Sequence, residues 1–236
     1  MNRLTRKELK SDKFALEVEH TVDYVTEHRT QVVRYGGIAL AVVVIIVGTY
    51  FYRSHQHAIR EQELHVALRI QDANVGAPQG PENPSMLNFP TTEGKQKALI
   101  KAFSDLATKY PGSEEGTIAE YYLGTNAADQ GNVAAAEKYL KEAADSSYKN
   151  YASVAKLALA QVYAGQGRLA DGEKLIRSVI DKPTDFVSKD DAIIALAQLV
   201  APTRPDEARK LLEPLRTARS AISRAALSML SNLPQK

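Results

Sequence analysis

The hydrophobic and polar positions along this chain change rhythm twice. From Tyr35 to Tyr52 there is no charged residue, and apolar side chains cover every face of a helix drawn through the run. A helix rises about 1.5 Å per residue, so about 20 apolar residues cross a hydrocarbon layer of about 30 Å. The run sits at the short end of that range. Arg34 and Arg53 bracket it, with Tyr35 at one end and Tyr50, Phe51 and Tyr52 at the other. Arginine stems snorkel to headgroups, and aromatic rings favour the same interface. A buried core helix of this length would carry a polar face, and this one offers only Thr49. A removable export signal would need a shorter charged region before it and a small-x-small site after it, and "TYFYRSHQHA" contains none. The pattern predicts a transmembrane helix over 35–52, with Arg34, Tyr35, Tyr50, Tyr52 and Arg53 as membrane-interface anchors.

On either side the rhythm is helical but mixed with charge. In the tail, 1–34, the residues Phe14, Val18, Val22, Val25 and Val32 fall mostly at three- and four-residue steps, on one helical stripe. Two readings stand: an amphipathic helix that lies on a leaflet or docks on a partner, and a mixed-charge tail that is helical only near the membrane. After the span, 53–73 keeps helical periodicity through Ile59, Leu64, Leu68 and Ile70, with no Pro or Gly. The transmembrane helix is therefore expected to continue outward as a stalk. The stretch 74–94 is rich in proline and glycine and reads as an irregular insert, a surface loop or tether.

From 95 to 236 the pattern becomes helix after helix, and the helices repeat. "AEYYLGTNAADQGNVAAAEKYLKEA" gives two helices around a turn at Gly131–Asn132. "AKLALAQVYAGQGRLADGEKLIRSVI" does the same around Gly167–Arg168, and a looser copy follows with Arg204–Pro205 at its turn. "KALIKAFSDLATKYPGS" reads as the second helix of an earlier unit. A period of about 36 residues with two helices per unit is the mark of an α-solenoid.

The units resemble tetratricopeptide repeats. Leu123, Gly124, Ala136, Leu140 and Ala143 occupy the leucine, glycine, alanine, bulky and alanine positions of that pattern. Leu159, Ala160, Gly172, Ile176 and Val179 match in the next copy, with Tyr163 at the aromatic position, and Phe103 and Pro111 match upstream. Small residues let paired helices approach, and bulky ones fill the gap between pairs. There is no tryptophan, and the third copy departs at Arg209, so the repeats are degenerate. The expected fold class is all-α: an N-terminal transmembrane helix continuing into a stalk, then an α-solenoid of degenerate tetratricopeptide-like helix pairs over 95–236.

Composition narrows the chemistry. A net charge of +2 and interspersed acidic and basic residues give no basic field or Lys/Arg stripe for nucleic acid. The absence of cysteine removes disulfides, thiol catalysis and Cys-based zinc sites. His55, His57 and His65 are spaced wrongly for two imidazoles on one helical face to share a metal. Asp181, Asp185, Asp190 and Asp191 cluster, but Ser188 followed three residues later by Asp191 reads as a helix N-cap. With no catalytic motif present, the chain is not expected to be an enzyme, and no cofactor or metal is expected.

The layout as a whole resembles the bacterial ancillary SecYEG translocon subunit family. The resemblance rests on a short charged tail, one transmembrane helix, an exit through Tyr52, Arg53, Ser54, His55 and Gln56, and a repeat domain. It implies an inner-membrane protein with a cytoplasmic N-terminus and a periplasmic repeat domain. The implied partners are the Sec translocon and a membrane-anchored periplasmic chaperone of the prolyl-isomerase type. Local charge counting leaves the orientation open; the basic residues of the whole tail favour the N-terminus inside. The long tail and the 74–94 insert are departures from the family pattern. The alternative is a repeat scaffold for another envelope assembly, such as cell-division or secretion machinery.

In such solenoids the first helix of each pair lines a concave surface. Transferring that register gives Tyr121, Thr125, Gln161 and Gln198 as candidate partner contacts, mostly neutral and suited to apolar or extended polypeptide. Gly37 and Ala41 form a small-xxx-small pair in the span, a hint of a homo-oligomer or of docking on another membrane protein.

Overall fold

Helix α1, Arg29–Gln71, runs through the uncharged stretch and beyond it without a break. Nothing in 53–71 interrupts a helix, as the absence of Pro and Gly there requires. The structure, a computed structural model, describes residues 29–76, 87–217 and 220–234. The stripe from Phe14 to Val25 and the middle of the insert, 77–86, lie outside the described residues. The chain divides into two compact units, Met1–Ala58 and Ile59–Lys236. In the first, the side chains of Val33, Ile38, Leu40 and the run Val42–Val47 are all exposed. The helical segment Val33–Gln71, which begins in that unit, is long and apolar enough to cross a membrane.

The second unit is a succession of helices. Helices α2 (Thr92–Lys109), α3 (Glu114–Asp129), α4 (Val133–Ala144) and α5 (Lys149–Gly165) are followed by α6 (Leu169–Asp181), α7 (Lys189–Val200) and α8 (Pro205–Leu212). A 3-10 turn, Glu213–Thr217, and α9 (Ser220–Asn232) complete it. From α2 to α8 each helix packs on the next, and the first helices of successive pairs also touch, α3 on α5 and α5 on α7. The architecture is all-α. Among the described residues the one extended element is a two-residue parallel ladder between β1 (Asn74–Val75) and β2 (Asn88–Phe89), which ties the two ends of the insert together.

Local chemistry explains where the helices stop and start. Gly131 and Gly167 sit in the turns the repeats predict, at φ 71° and 77°, where a side chain is disfavoured. In the third pair Pro205 opens α8, where its missing N–H costs nothing. Ser188 and Asp191 form a reciprocal capping box at the start of α7, as their spacing suggests. Thr91, Ser113 and Asn132 cap α2, α3 and α4 through their side chains.

The positions that carry the repeat pattern are core positions. Leu123, Gly124, Ala136, Leu140 and Ala143 are buried, as are Leu159, Ala160, Gly172, Ile176, Val179 and Tyr163. Gly124 lies so close to Leu140 that an added Cβ would stand 2.6 Å from its Cγ. The small position is therefore enforced by the bulky one beneath it.

The end of α1 joins this core. Ala67 is fully buried with Leu99, Phe103, Leu106, Ala119 and Leu123, and Leu64, Leu68 and Ile70 pack against the same cluster. The last turns of the segment read from sequence as a stalk thus supply the apolar face that α2 needs, and 74–94 connects the two helices. Arg60 Nε stands 3.1 Å from Glu115 Oε2, and both atoms are shut off from solvent. Lys109 Nζ donates to Glu63 at 2.5 Å, and the Tyr110 hydroxyl donates to the same carboxylate oxygen at 3.2 Å.

Polar contacts between neighbouring units recur with the repeat. Arg168, at one turn, reaches back to Glu137 of α4 at 2.8 Å; Arg204, one unit later, reaches back to Glu173 of α6. The Thr117 and Ser146 hydroxyls meet at 2.9 Å, and Ser153 and Thr184 meet one unit on at 2.7 Å. Exposed pairs such as Arg168–Glu137 add little stability, because water and salt screen them. They help fix the register of successive turns.

Candidate functional site

Two features occupy the side of the solenoid where the first helices of successive pairs meet. One is an open groove of about 400 Å³ between α3, α4 and α5. Ala136, Leu140 and Val162 give it an apolar lining, and Thr125, Asp129 and Gln161 supply its polar groups. Thr125 Oγ1 donates to the Tyr122 carbonyl at 3.1 Å, which fixes its hydroxyl with an acceptor lone pair left over. The arrangement can seat one apolar side chain and engage a peptide group beside it through Gln161.

The second feature is a row of aromatic rings. Phe103 of α2 stacks on Tyr122 of α3 at 4.8 Å, with planes 9° apart. Tyr122 meets Tyr121 edge to face at 5.4 Å, Tyr121 meets Tyr151 of α5 at 6.0 Å, and Tyr151 meets Phe186 at 5.3 Å. The row begins in the core, with Phe103 1% exposed, and ends on the loop before α7, with Phe186 53% exposed. Burial pushes the Tyr121, Tyr122 and Tyr151 hydroxyls above the usual phenol range, so they stay protonated donors. Neighbouring tyrosines and carboxylates add to this: Asp72 at Tyr122, and Glu114 at Tyr151.

The four contact residues expected from the repeat register fall in different places. Thr125 and Gln161 line the same groove. Tyr121 is half-buried, packs against the cluster of Leu140, Ala143, Ala155 and Leu159, and belongs to the aromatic row. Gln198 is exposed on α7 and lies outside the groove. The register did not point to Tyr122, Tyr151 or Phe186. The available signal was that Tyr151 and Phe186 stand about one repeat apart, at the mouths of successive first helices. The five residues expected at a membrane interface, Arg34, Tyr35, Tyr50, Tyr52 and Arg53, all lie on α1 and are all exposed. Among the described residues there is no cluster of three or more His, Asp or Glu side chains that could hold a metal.

One carboxyl in this region titrates unusually. Burial, and then the negative charge of Glu142, push Glu120 of α3 up to about 7. A carboxyl whose folded value lies above its unfolded one near 4.3 takes up a proton on folding between those two pH values. Stability should therefore fall as pH rises from about 4.5 to about 7, and the full penalty persists above that. Glu120→Gln should be more stable than the parent at pH 8, by about 1 kcal/mol after screening of this half-exposed group. Urea melts at pH 4 and pH 8 check it: the difference should vanish at pH 4, and an equal difference at both would contradict the assignment.

A family model described as a tetratricopeptide repeat-like domain matches residues 33–209. No curated protein matches the chain, and no solved structure does.

Proposed function

The chain belongs to the tetratricopeptide repeat-like domain family, and from that membership we propose that it works as a membrane-anchored scaffold for protein–protein interaction. The observation that carries the proposal is the presence of two distinct surfaces on one chain. An exposed apolar helix runs through Val33–Tyr52, and the groove holding Thr125 and Gln161 lies on a repeat unit downstream. An apolar surface of that extent is favourable in hydrocarbon and costly in water. A solenoid groove with a polar rim of Thr125, Asp129 and Gln161 suits an extended polypeptide. Tethering to a membrane confines the repeats to a thin layer, so weak contacts act through a high effective concentration.

The specific assignment is to the export machinery. On this reading the N-terminus is cytoplasmic, α1 is a single-pass anchor of the bacterial inner membrane, and the repeats face the periplasm. Arg34, Tyr35, Tyr50, Tyr52 and Arg53 hold the interfaces. The partners are the Sec translocon and a membrane-anchored periplasmic chaperone, met through Tyr121, Thr125, Gln161 and Gln198. The support is the resemblance at Tyr52–Gln56 together with the family membership of the repeats. The scaffold carries out no catalysis itself.

Photo-crosslinking from Gln161 and Gln198 in intact membranes tests this. Adducts containing a translocon component and the chaperone are expected. Recovery of a division or secretion complex with no translocon component would overturn the assignment to export and leave the scaffold reading in place. Protease added to sphaeroplasts should cut the 95–236 region; protection that is lost on lysis would reverse the orientation.

A further inference from the structure

The aromatic row has a property that repeat packing alone does not require. A row serving only to join helix pairs would end inside the core, as Phe103 does. This one emerges instead, through three half-buried tyrosines, to Phe186 with more than half of its surface in solvent. The three centroid steps from Tyr122 to Phe186, 5.4, 6.0 and 5.3 Å, run from α3 to the loop before α7. Their total, roughly 17 Å, matches the length of about five residues of extended chain. No hydrogen bond to a described residue engages the Tyr121, Tyr122 or Tyr151 hydroxyl. Three donors therefore remain beside the ring faces for a peptide backbone.

The charge beside the row decides what kind of chain it suits. Two carboxylates act on the tyrosines of the row, Asp72 at Tyr122 and Glu114 at Tyr151, and both are exposed. Ring faces carry negative quadrupole density, and carboxylates beside them deepen the same sign of potential. An acidic peptide would be repelled there, and a neutral apolar one would leave the carboxylates unanswered. An arginine or lysine can lay its guanidinium or ammonium over a ring face and its stem along the ring edges.

We infer that the row Phe186–Tyr151–Tyr121–Tyr122, flanked by Glu114 and Asp72, is a docking track for an extended polypeptide segment bearing arginine or lysine side chains. Cations stack on the Phe186 and Tyr151 rings and pair with Glu114, and the tyrosine hydroxyls donate to peptide carbonyls. This rests on the reading of the protein as a peptide-binding scaffold and names the chemistry of its partner.

The test uses the full-length chain in neutral detergent and three labelled ten-residue peptides. They alternate serine or leucine with arginine, with glutamine, or with glutamate, and fluorescence anisotropy reads their binding. The arginine peptide should bind at least about tenfold tighter than the glutamine peptide, and the preference should shrink as salt rises from low to physiological strength. Phe186→Ala, at an exposed loop position that leaves the fold intact, should weaken the arginine peptide about fivefold or more. Glu114→Gln should weaken it while sparing the glutamine peptide. Equal affinity for the arginine and glutamine peptides, binding unchanged by Phe186→Ala, or no binding by any peptide would each overturn the inference. The measurement uses purified protein, so the identity of crosslinked membrane partners does not enter it. Loss of charge preference with peptide binding retained removes the track and spares the scaffold.

Discussion

Phe103→Ala is expected to lower the unfolding free energy of the repeat unit by about 4 kcal/mol, within the range for deleting a fully buried aromatic side chain. Phe103 is 1% exposed and shares its cluster with Ala67 of α1, Leu99 and Leu106 of α2, and Ala119 and Leu123 of α3. It is thus the side chain on which three helices converge. Its stacking on Tyr122 at 4.8 Å adds an aromatic contribution beyond area alone. Ala67 and Ala119 of the same cluster are too small to expand into the space. The cavity should persist. In a solenoid, stability is a sum of unit and neighbour terms, so the loss should fall mainly on the first pair. Urea melts of the full chain followed by circular dichroism should show a lowered midpoint and a broadened or two-step transition. Phe103→Leu should cost much less, about 1 kcal/mol. A shift for Phe103→Ala no larger than that for Phe103→Leu would mean this core is not closed.

What the sequence made legible, and what it did not, follows from the same residues. Gly131 and Gly167 announced the turns because a positive φ admits few other residues. Leu140 and Ile176 announced the gaps between pairs because close packing tolerates one size at each position. The earliest pair was half-hidden. Its first helix is the end of α1, where the small and bulky markers are missing because one continuous helix serves both as apolar run and as packing partner. Leu64, Leu68 and Ile70 carried the right period, but periodicity alone does not name the partner of a face. The groove was partly legible: a register shared by Thr125 and Gln161 brought both to one place, whereas Gln198, at the same register one unit on, lies outside it. The aromatic row was not legible. It joins residues of different repeat positions (103, 121, 122, 151 and 186) whose proximity is set by how helix pairs stack. The Arg60–Glu115 pair was hidden for the same reason, since neither residue belongs to the repeat pattern.

That ion pair gives the second large expected effect. Arg60→Met should destabilise the repeat unit by about 3 kcal/mol, because it removes a cation from beside a buried carboxylate. Glu115 is 3% exposed in the first turn of α3, and the Arg60 side chain is 27% exposed. The asymmetry predicts an asymmetric response. Glu115→Leu should cost less, about 1–2 kcal/mol, since an arginine with an open edge can swing its guanidinium to water. Arg60→Met combined with Glu115→Leu should recover most of the loss, because an apolar pair of similar volume needs no charge compensation. Lys109→Met provides the contrast. Its partner Glu63 is about one-third exposed and Lys109 more than half, so removing that pair should cost far less than removing Arg60 and fade with salt. The Arg60→Met loss should persist at high salt, since its partner is shielded from the solvent. A double-mutant cycle in urea measures all four. Additive losses at Arg60 and Glu115 would show that the two side chains do not act as a pair. A deficit shared equally by Arg60→Met and Lys109→Met would show that burial does not separate the two contacts.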